Sequence, residues 1–216
     1  MLKFLLLGLL FVSSSLAQGP KITLRTLALS GADFPELWLK NGEELTPLTE
    51  FSTMRASAPL TVTRANPLPV YQKITPEGEA AEPIAVKLPS SATSYLLLSW
   101  LDQDQARFAA IPDPYQSATR NDWLVINTCA FPVALQIGSG KQPSIVQPGQ
   151  SGTLRVTASS GTGTAVTMAR RKGEKWQRIY SNYWHVYPNS RGLVIVTPKG
   201  EKARVKVLTD PVGEGS

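Results

Sequence analysis

One cysteine, Cys129, and one histidine, His185, are all that the 216 residues hold of these two types. A single cysteine excludes an intramolecular disulfide, so apolar burial has to hold the fold together. One His with one Cys cannot close a four-ligand zinc site. No nucleophile-elbow sequence occurs in the chain, so a Ser-His-Asp or Cys-His centre would have to be assembled on His185 alone. Asn-x-Ser/Thr acceptors are missing too, because Asn127-Thr128-Cys129 and Asn189-Ser190-Arg191 each fail at the third position. That favours a bacterial envelope over a eukaryotic secretory route. Helical patterning is equally scarce. Beyond the opening segment, 17 prolines leave no clean window of about 12 residues with a 3.6-residue apolar stripe.

The opening segment is different in kind. It carries Lys3, an apolar run from Phe4 to Val12, three serines, and the small-residue ending Ser15-Leu16-Ala17. This predicts a signal peptide over residues 1–17, cleaved between Ala17 and Gln18. A retained transmembrane helix needs about 20 apolar residues, roughly twice this run. The mature chain is therefore expected to be exported, periplasmic or extracellular, with no transmembrane anchor. No cysteine stands just after the cleavage point to carry a lipid. Roughly 200 residues remain, enough for one large domain or two of about 100.

Charge is unevenly spread. Residues 18–118 hold 8 Lys and Arg against 11 Asp and Glu, a net of −3, whereas residues 119–216 hold 13 against 5, a net of +8. A basic half suits an acidic glycan, a lipid headgroup surface or simple solubility. Export argues against nucleic acid as the partner.

Apolar alternation dominates the chain after Gln18. Ile22-Leu24, Leu37-Leu39, Leu60-Val62 and Ile84-Val86-Leu88 read as strands with one buried face. Tyr95 to Leu98 and Leu193 to Val196 are unbroken apolar runs that suit central strands covered on both sides. Turn chemistry separates the strands at Asn41-Gly42, Pro76-Glu77-Gly78, Asp102-Gln103-Asp104, Pro148-Gly149 and Asn189-Ser190-Arg191-Gly192. Pro112-Asp113-Pro114 marks a boundary. Pro35 to Gly42 is echoed by Pro132 to Gly138, and each half closes on a similar hairpin. The expected architecture is all-β: two small antiparallel β-sandwich, Ig-like domains over 20–112 and 120–209, then a disordered tail over 210–216.

Candidate chemistry is thin. His185 lies in the aromatic strand Tyr183 to Tyr187 and is expected to be a partly buried strand histidine. Cys129 reads as a small core hydrophobe, since no cation stands near it in sequence to favour the thiolate. Asp102, Asp104 and Asp113 lack the spacing of a calcium loop. Ser160-Gly161-Thr162-Gly163-Thr164 lacks the Gly-Lys-Ser/Thr ending of a phosphate loop and reads as a hairpin tip. The clearest lead is Trp176, Tyr180 and Trp184, spaced by four. On an unbroken strand they share one face over about 27 Å, at about 3.3–3.4 Å per residue. With Arg170, Arg171, Lys175 and Arg178 beside them they form either a sugar-stacking, anion-attracting ladder or part of the inter-sheet core.

Trp123 to Asn127, Phe131 to Gly138, Val146 to Ser151, and Trp176 through Tyr180-Ser181 to Trp184 resemble a module of exported bacterial two-domain β proteins of unassigned activity. A fainter likeness, over the Asn127 to Gly138 part, is to small periplasmic β-sandwich accessory proteins of polysaccharide modification. The resemblance implies fold and location and supplies no catalytic, metal-binding or cofactor-binding residue. The expected function is a non-catalytic binding or assembly module of the cell envelope, contacting an envelope protein or an anionic or sugar polymer. The alternative is a carbohydrate-active or other hydrolytic enzyme with a site dispersed over loops.

Overall fold

The computed structural model describes residues 19–212 except 32–33, 43, 49, 73–81, 90, 118–120, 139–141, 157–161, 188–189 and 201. The expected signal peptide and its Ala17–Gln18 cleavage point lie outside the described residues, as do the turn at Pro76 and the Ser160-Gly161 start of the expected hairpin tip. The first module consists of β1 (Lys21–Ala28), β2 (Leu37–Asn41), β3 (Glu44–Leu48), β4 (Leu60–Thr63), β5 (Leu68–Tyr71), β6 (Ile84–Val86), β7 (Ser94–Asp102) and β8 (Gln105–Pro112). A single 3-10 turn, Tyr115–Ser117, leads to the second module. That module holds β9 (Asp122–Asn127), β10 (Val133–Ile137), β11 (Ser144–Val146), β12 (Ser151–Arg155), β13 (Gly163–Lys172), β14 (Lys175–His185), β15 (Ser190–Lys199) and β16 (Lys202–Pro211).

Each module is a sandwich of two four-stranded sheets. The orders are β4-β1-β7-β8 with β3-β2-β5-β6, and β12-β9-β15-β16 with β11-β10-β13-β14. Every strand of the second module thus has its counterpart eight places earlier. The match extends to the one parallel pairing in each, β1 with β7 and β9 with β15. The sequence echo between Pro35–Gly42 and Pro132–Gly138 falls on the counterpart strands β2 and β10. A two-residue turn closes the β7–β8 hairpin, where Gln103 and Asp104 both take positive φ (49° and 62°). This left-handed pair matches the twist of the flanking strands, which is why polar Gln and Asp are found there.

Alternation decides where the cores lie. Ile22 and Leu24 of β1, Leu37 and Leu39 of β2, and Tyr95 and Leu97 of β7 fill the first sandwich. Val125, Leu135, Val166, Met168, Val194 and Val196 fill the second. The other face of the same strands builds a third cluster. Leu27, Leu96, Leu98 and Ile111 of the first module meet Leu124, Ile126, Leu193, Ile195 and Leu208 of the second. This arrangement explains the unbroken apolar runs of β7 and β15. Tyr95 and Leu97 face one core and Val194 and Val196 the other, while the residues between them face the neighbouring module.

Two expectations need correction. The Pro112–Pro114 boundary does not separate the two modules' apolar packing, because the inner sheets pack on one another and a shared core crosses it. Each fully buried Leu or Ile there contributes about 1.5–3 kcal/mol, so the junction is far from a loose tether. The chain also keeps its order past 209. β16 runs through Pro211, because Asp210 is buried at the module junction.

Candidate functional site

Four charged side chains are shut inside that junction. Arg25 on β1, Asp113 after β8, Arg191 on β15 and Asp210 on β16 are each no more than 3 % exposed. Arg25 donates to both oxygens of Asp210, at 2.8 and 2.5 Å, and reaches Asp113 at 3.5 Å. Arg191 donates to Asp210 at 2.9 Å and to Asp113 at 2.6 Å. The four form a closed, charge-neutral ring. Arg25 Nε is spent on the Ser57 carbonyl at 3.0 Å. Tyr115 lies over the ring, 3.9 Å from the Arg25 guanidinium and 5.2 Å from that of Arg191, and its hydroxyl donates to the Pro211 carbonyl. Burial opposes the Arg25 charge, but the bond to Asp210 and the fields of Asp210 and Asp113 outweigh it and raise its pKa.

This cluster is a fastening between modules. Every carboxylate oxygen in it already faces a guanidinium, and the charge of Asp113 is balanced there. Measured from the hairpin turns, Asp113 and Asp210 occupy counterpart positions, while Arg191 corresponds to Ser94 and Arg25 to Leu124. Sequence reasoning missed the ring, since its members are scattered along the chain and a lone charge in or beside an apolar strand reads as an ordinary edge residue.

The residues weighed for catalysis do not converge. Cys129 is buried behind β9 with its sulfur 3.7 Å from the Val196 carbonyl, and burial pushes its thiol pKa up, away from the reactive thiolate. His185 is exposed, contrary to the partly buried strand position expected of it. It stands on the outer face of β14 between Tyr183, 5.4 Å away and edge-on, and Tyr187 at 6.3 Å. Asp102 makes an exposed pair with Arg107. Among the described residues no cluster of His, Cys, Asp or Glu is placed to hold a metal.

The aromatic ladder is divided rather than continuous. β14 pairs with β13 in regular register from His185 to Tyr180, but the register slips between Met168 and Ala169, leaving Ile179 as an extra residue. Such a bulge turns the rest of the strand over. Tyr180 lies opposite buried Met168, and Trp184 is 3 % exposed, so both face the core side. Trp176 lies opposite Arg171, one residue out of phase with Met168 on β13, so it projects from the other face, 43 % exposed. The spacing of four therefore misassigns Trp176.

Arg170 also lies off the outer face. Its guanidinium sits 5.6 Å from the centroid of the Phe131 ring and its Nε donates to Gln177. Arg171 Nε donates to the Gly173 carbonyl, and Lys175 lies opposite Lys172 at the hairpin end.

A different row emerges on the outer face of β14: Trp176, Arg178, Tyr183, His185 and, just past the strand, Tyr187. All are exposed. The neighbouring outer-face positions of β13 are small, Ala165, Thr167 and Ala169, with Ala134 and Gln136 opposite them on β10. Gly163 is required at its place. A Cβ there would collide with the Tyr183 ring and the Trp184 carbonyl oxygen. Its absence lets Tyr183 fold over the strand and accept the Gly163 N–H at 3.0 Å. The sequence signal for this row was the alternation at 183, 185 and 187. No protein-family model matches the chain, and no curated protein is significantly similar to it.

Proposed function

We propose that the protein is a non-catalytic, exported binding module of the bacterial envelope that holds an anionic or sugar polymer on the outer face of the β13–β14 hairpin. The observation that carries this reading is the exposed row Trp176, Arg178, Tyr183, His185 and Tyr187 beside a strip of small residues. Exposed aromatic rings stack on the apolar faces of sugar rings, and a smooth neighbouring surface leaves room for the chain to lie down. Arg171, Lys172, Lys175 and Arg178 supply a positive field at one end of the row, so an acidic chain is drawn in from solution. Glycoside hydrolysis typically uses two carboxylates facing the scissile bond, and Glu174 is the only acid between Gly163 and Tyr187. Binding is thus favoured over hydrolysis.

The test is retention of the mature chain on an immobilised acidic polysaccharide such as polygalacturonate at low salt. Retention of the parent protein, weakened in a Trp176→Ala, Arg178→Ala double variant, supports the reading. No retention, or equal retention of both proteins, overturns it.

A further inference from the structure

Behind the outer row, a cleft of about 240 Å³ opens between β14 and the β15–β16 hairpin, lined among others by Trp123, Tyr180, Asn182, Trp184, Ser190 and Thr209. We infer that this cleft is a subsite for one N-acetylated sugar residue of the polymer. The inference rests on the proposed polymer binding and adds which sugar the protein selects.

The wall is built by the sequence. Trp123 and Trp184 stack with centroids 4.5 Å apart and planes 13° from parallel, and both are buried. Gly192 makes room for this, since a Cβ at that position would run into the Trp123 ring. Tyr180, Asn182 and Trp184 are alternate residues on the unbulged part of β14, so they share one face.

Their polar atoms are arranged in one sense. The Tyr180 hydroxyl oxygen accepts the Trp184 indole N–H at 3.0 Å and the Asn182 amide N–H at 3.1 Å. Both of its lone pairs are used, and its own proton has no acceptor among the described residues. Asn182 Oδ1 accepts the Tyr183 backbone N–H at 2.9 Å, which fixes the amide and leaves its second N–H to spare. The cleft therefore offers two held donors beside an indole wall.

That combination selects for an acceptor joined to an apolar group. A carboxylate would leave water for a wall whose one nearby cation, Arg191, is already neutralised by Asp113 and Asp210. An acetamido group fits better, with its carbonyl oxygen taking the two donors and its methyl lying against the part-buried Tyr180 ring and the edges of the indoles. The volume is below the roughly 300–1,000 Å³ of sites for drug-sized ligands, which suits one ring with its substituent.

The experiment titrates the mature chain with the β-1,4-linked trimers of N-acetylglucosamine and of glucose and with the α-1,4-linked trimer of galacturonate, read by tryptophan fluorescence. The N-acetylated trimer is expected to bind at least tenfold more tightly than the other two. Tyr180→Phe and the solvent-exposed Asn182→Ala should each lower that affinity about tenfold, while Arg107→Ala, at an exposed position on β8 of the first module, leaves it within twofold. Asn182→Ala keeps the test intact if Tyr180→Phe perturbs the fold. Equal binding of the trimers, no binding, or tighter binding of the galacturonate trimer overturns the subsite. Loss of trimer binding in the Trp176, Arg178 variant alone also overturns it and leaves the outer-face reading standing. Trimer binding without polysaccharide retention removes the outer-face reading instead.

Discussion

Arg25 and Asp210 stand 185 positions apart in the chain and meet in a two-pronged ion pair, one guanidinium nitrogen on each carboxylate oxygen. The pair ties the first strand of one module to the last strand of the other. Its surroundings are only half symmetric. The acids Asp113 and Asp210 are counterparts, but the cations come from β1 in one module and β15 in the other. Apolar packing of Leu96 and Leu98 on Leu193 and Ile195 is tolerant of small shifts. A ring of four buried charges is not, and it gives two similar sheets a single docking register.

Removing one member leaves a buried charge without its partner. Arg25→Met is therefore expected to lower unfolding free energy by about 3–5 kcal/mol, measured in urea. Replacing all four residues with apolar or neutral ones of similar volume should recover most of that loss. A single-variant cost under about 1 kcal/mol would mean that water reaches the ring in solution.

Gly192 faces the Trp123 ring with no room for a methyl group. Gly192→Ala should force the stacked indoles apart and cost about 1–3 kcal/mol or more, with a changed near-ultraviolet dichroism. Gly31→Ala is the control. Nothing lies within 4 Å of its Cβ position, so its stability should stay within about 0.5 kcal/mol of the parent. Equal effects from the two substitutions would refute the packing of Trp123 on β15.

The β class, the strand periodicity and the two-sided burial of β7 and β15 were legible because the side-chain period reports directly on burial. What covered the second side of those strands was not legible, since it is supplied by the other module. Arg25 and Arg191 sit within apolar strands where a lone charge reads as an edge residue, and their partners lie near strand ends at Asp113 and Asp210. The turn-over of Trp176 was hidden for a local reason. The bulge residue is Ile179, a β-branched side chain that carries none of the usual bulge signal of glycine.

Cys129 gives a stability prediction with a definite sign. Burial raises its pKa above the usual 9.0, so the folded state holds the thiol proton more tightly than the unfolded chain does. Its contribution is fully present below the unfolded pKa and is lost as pH rises through the folded one. Unfolding free energy should therefore fall above about pH 9 in the parent, and the slope should flatten in Cys129→Ala. Cys129→Ser should cost about 1–3 kcal/mol if its hydroxyl goes unpaired, with polymer retention unchanged. An identical alkaline slope in parent and Cys129→Ala would show that the thiol is hydrated when folded.

Rings and cations on the outer face of β14 should separate by salt. Coulomb attraction from Arg171, Lys175 and Arg178 is screened as the Debye length shrinks to about 3 Å at 1 M salt, from about 10 Å at 0.1 M. Stacking on Trp176, Tyr183 and Tyr187 is not screened in this way. Arg171→Ala with Arg178→Ala is expected to abolish most low-salt retention on polygalacturonate and to leave the residual high-salt retention as it was. Trp176→Ala with Tyr183→Ala should do the reverse. The bulge at Ile179 puts Trp176 and Arg178 on the same face as Tyr183 and His185, so both variant pairs act on one surface. If the aromatic pair instead alters only the low-salt component, the rings are not in contact with the polymer and the attraction is charge alone.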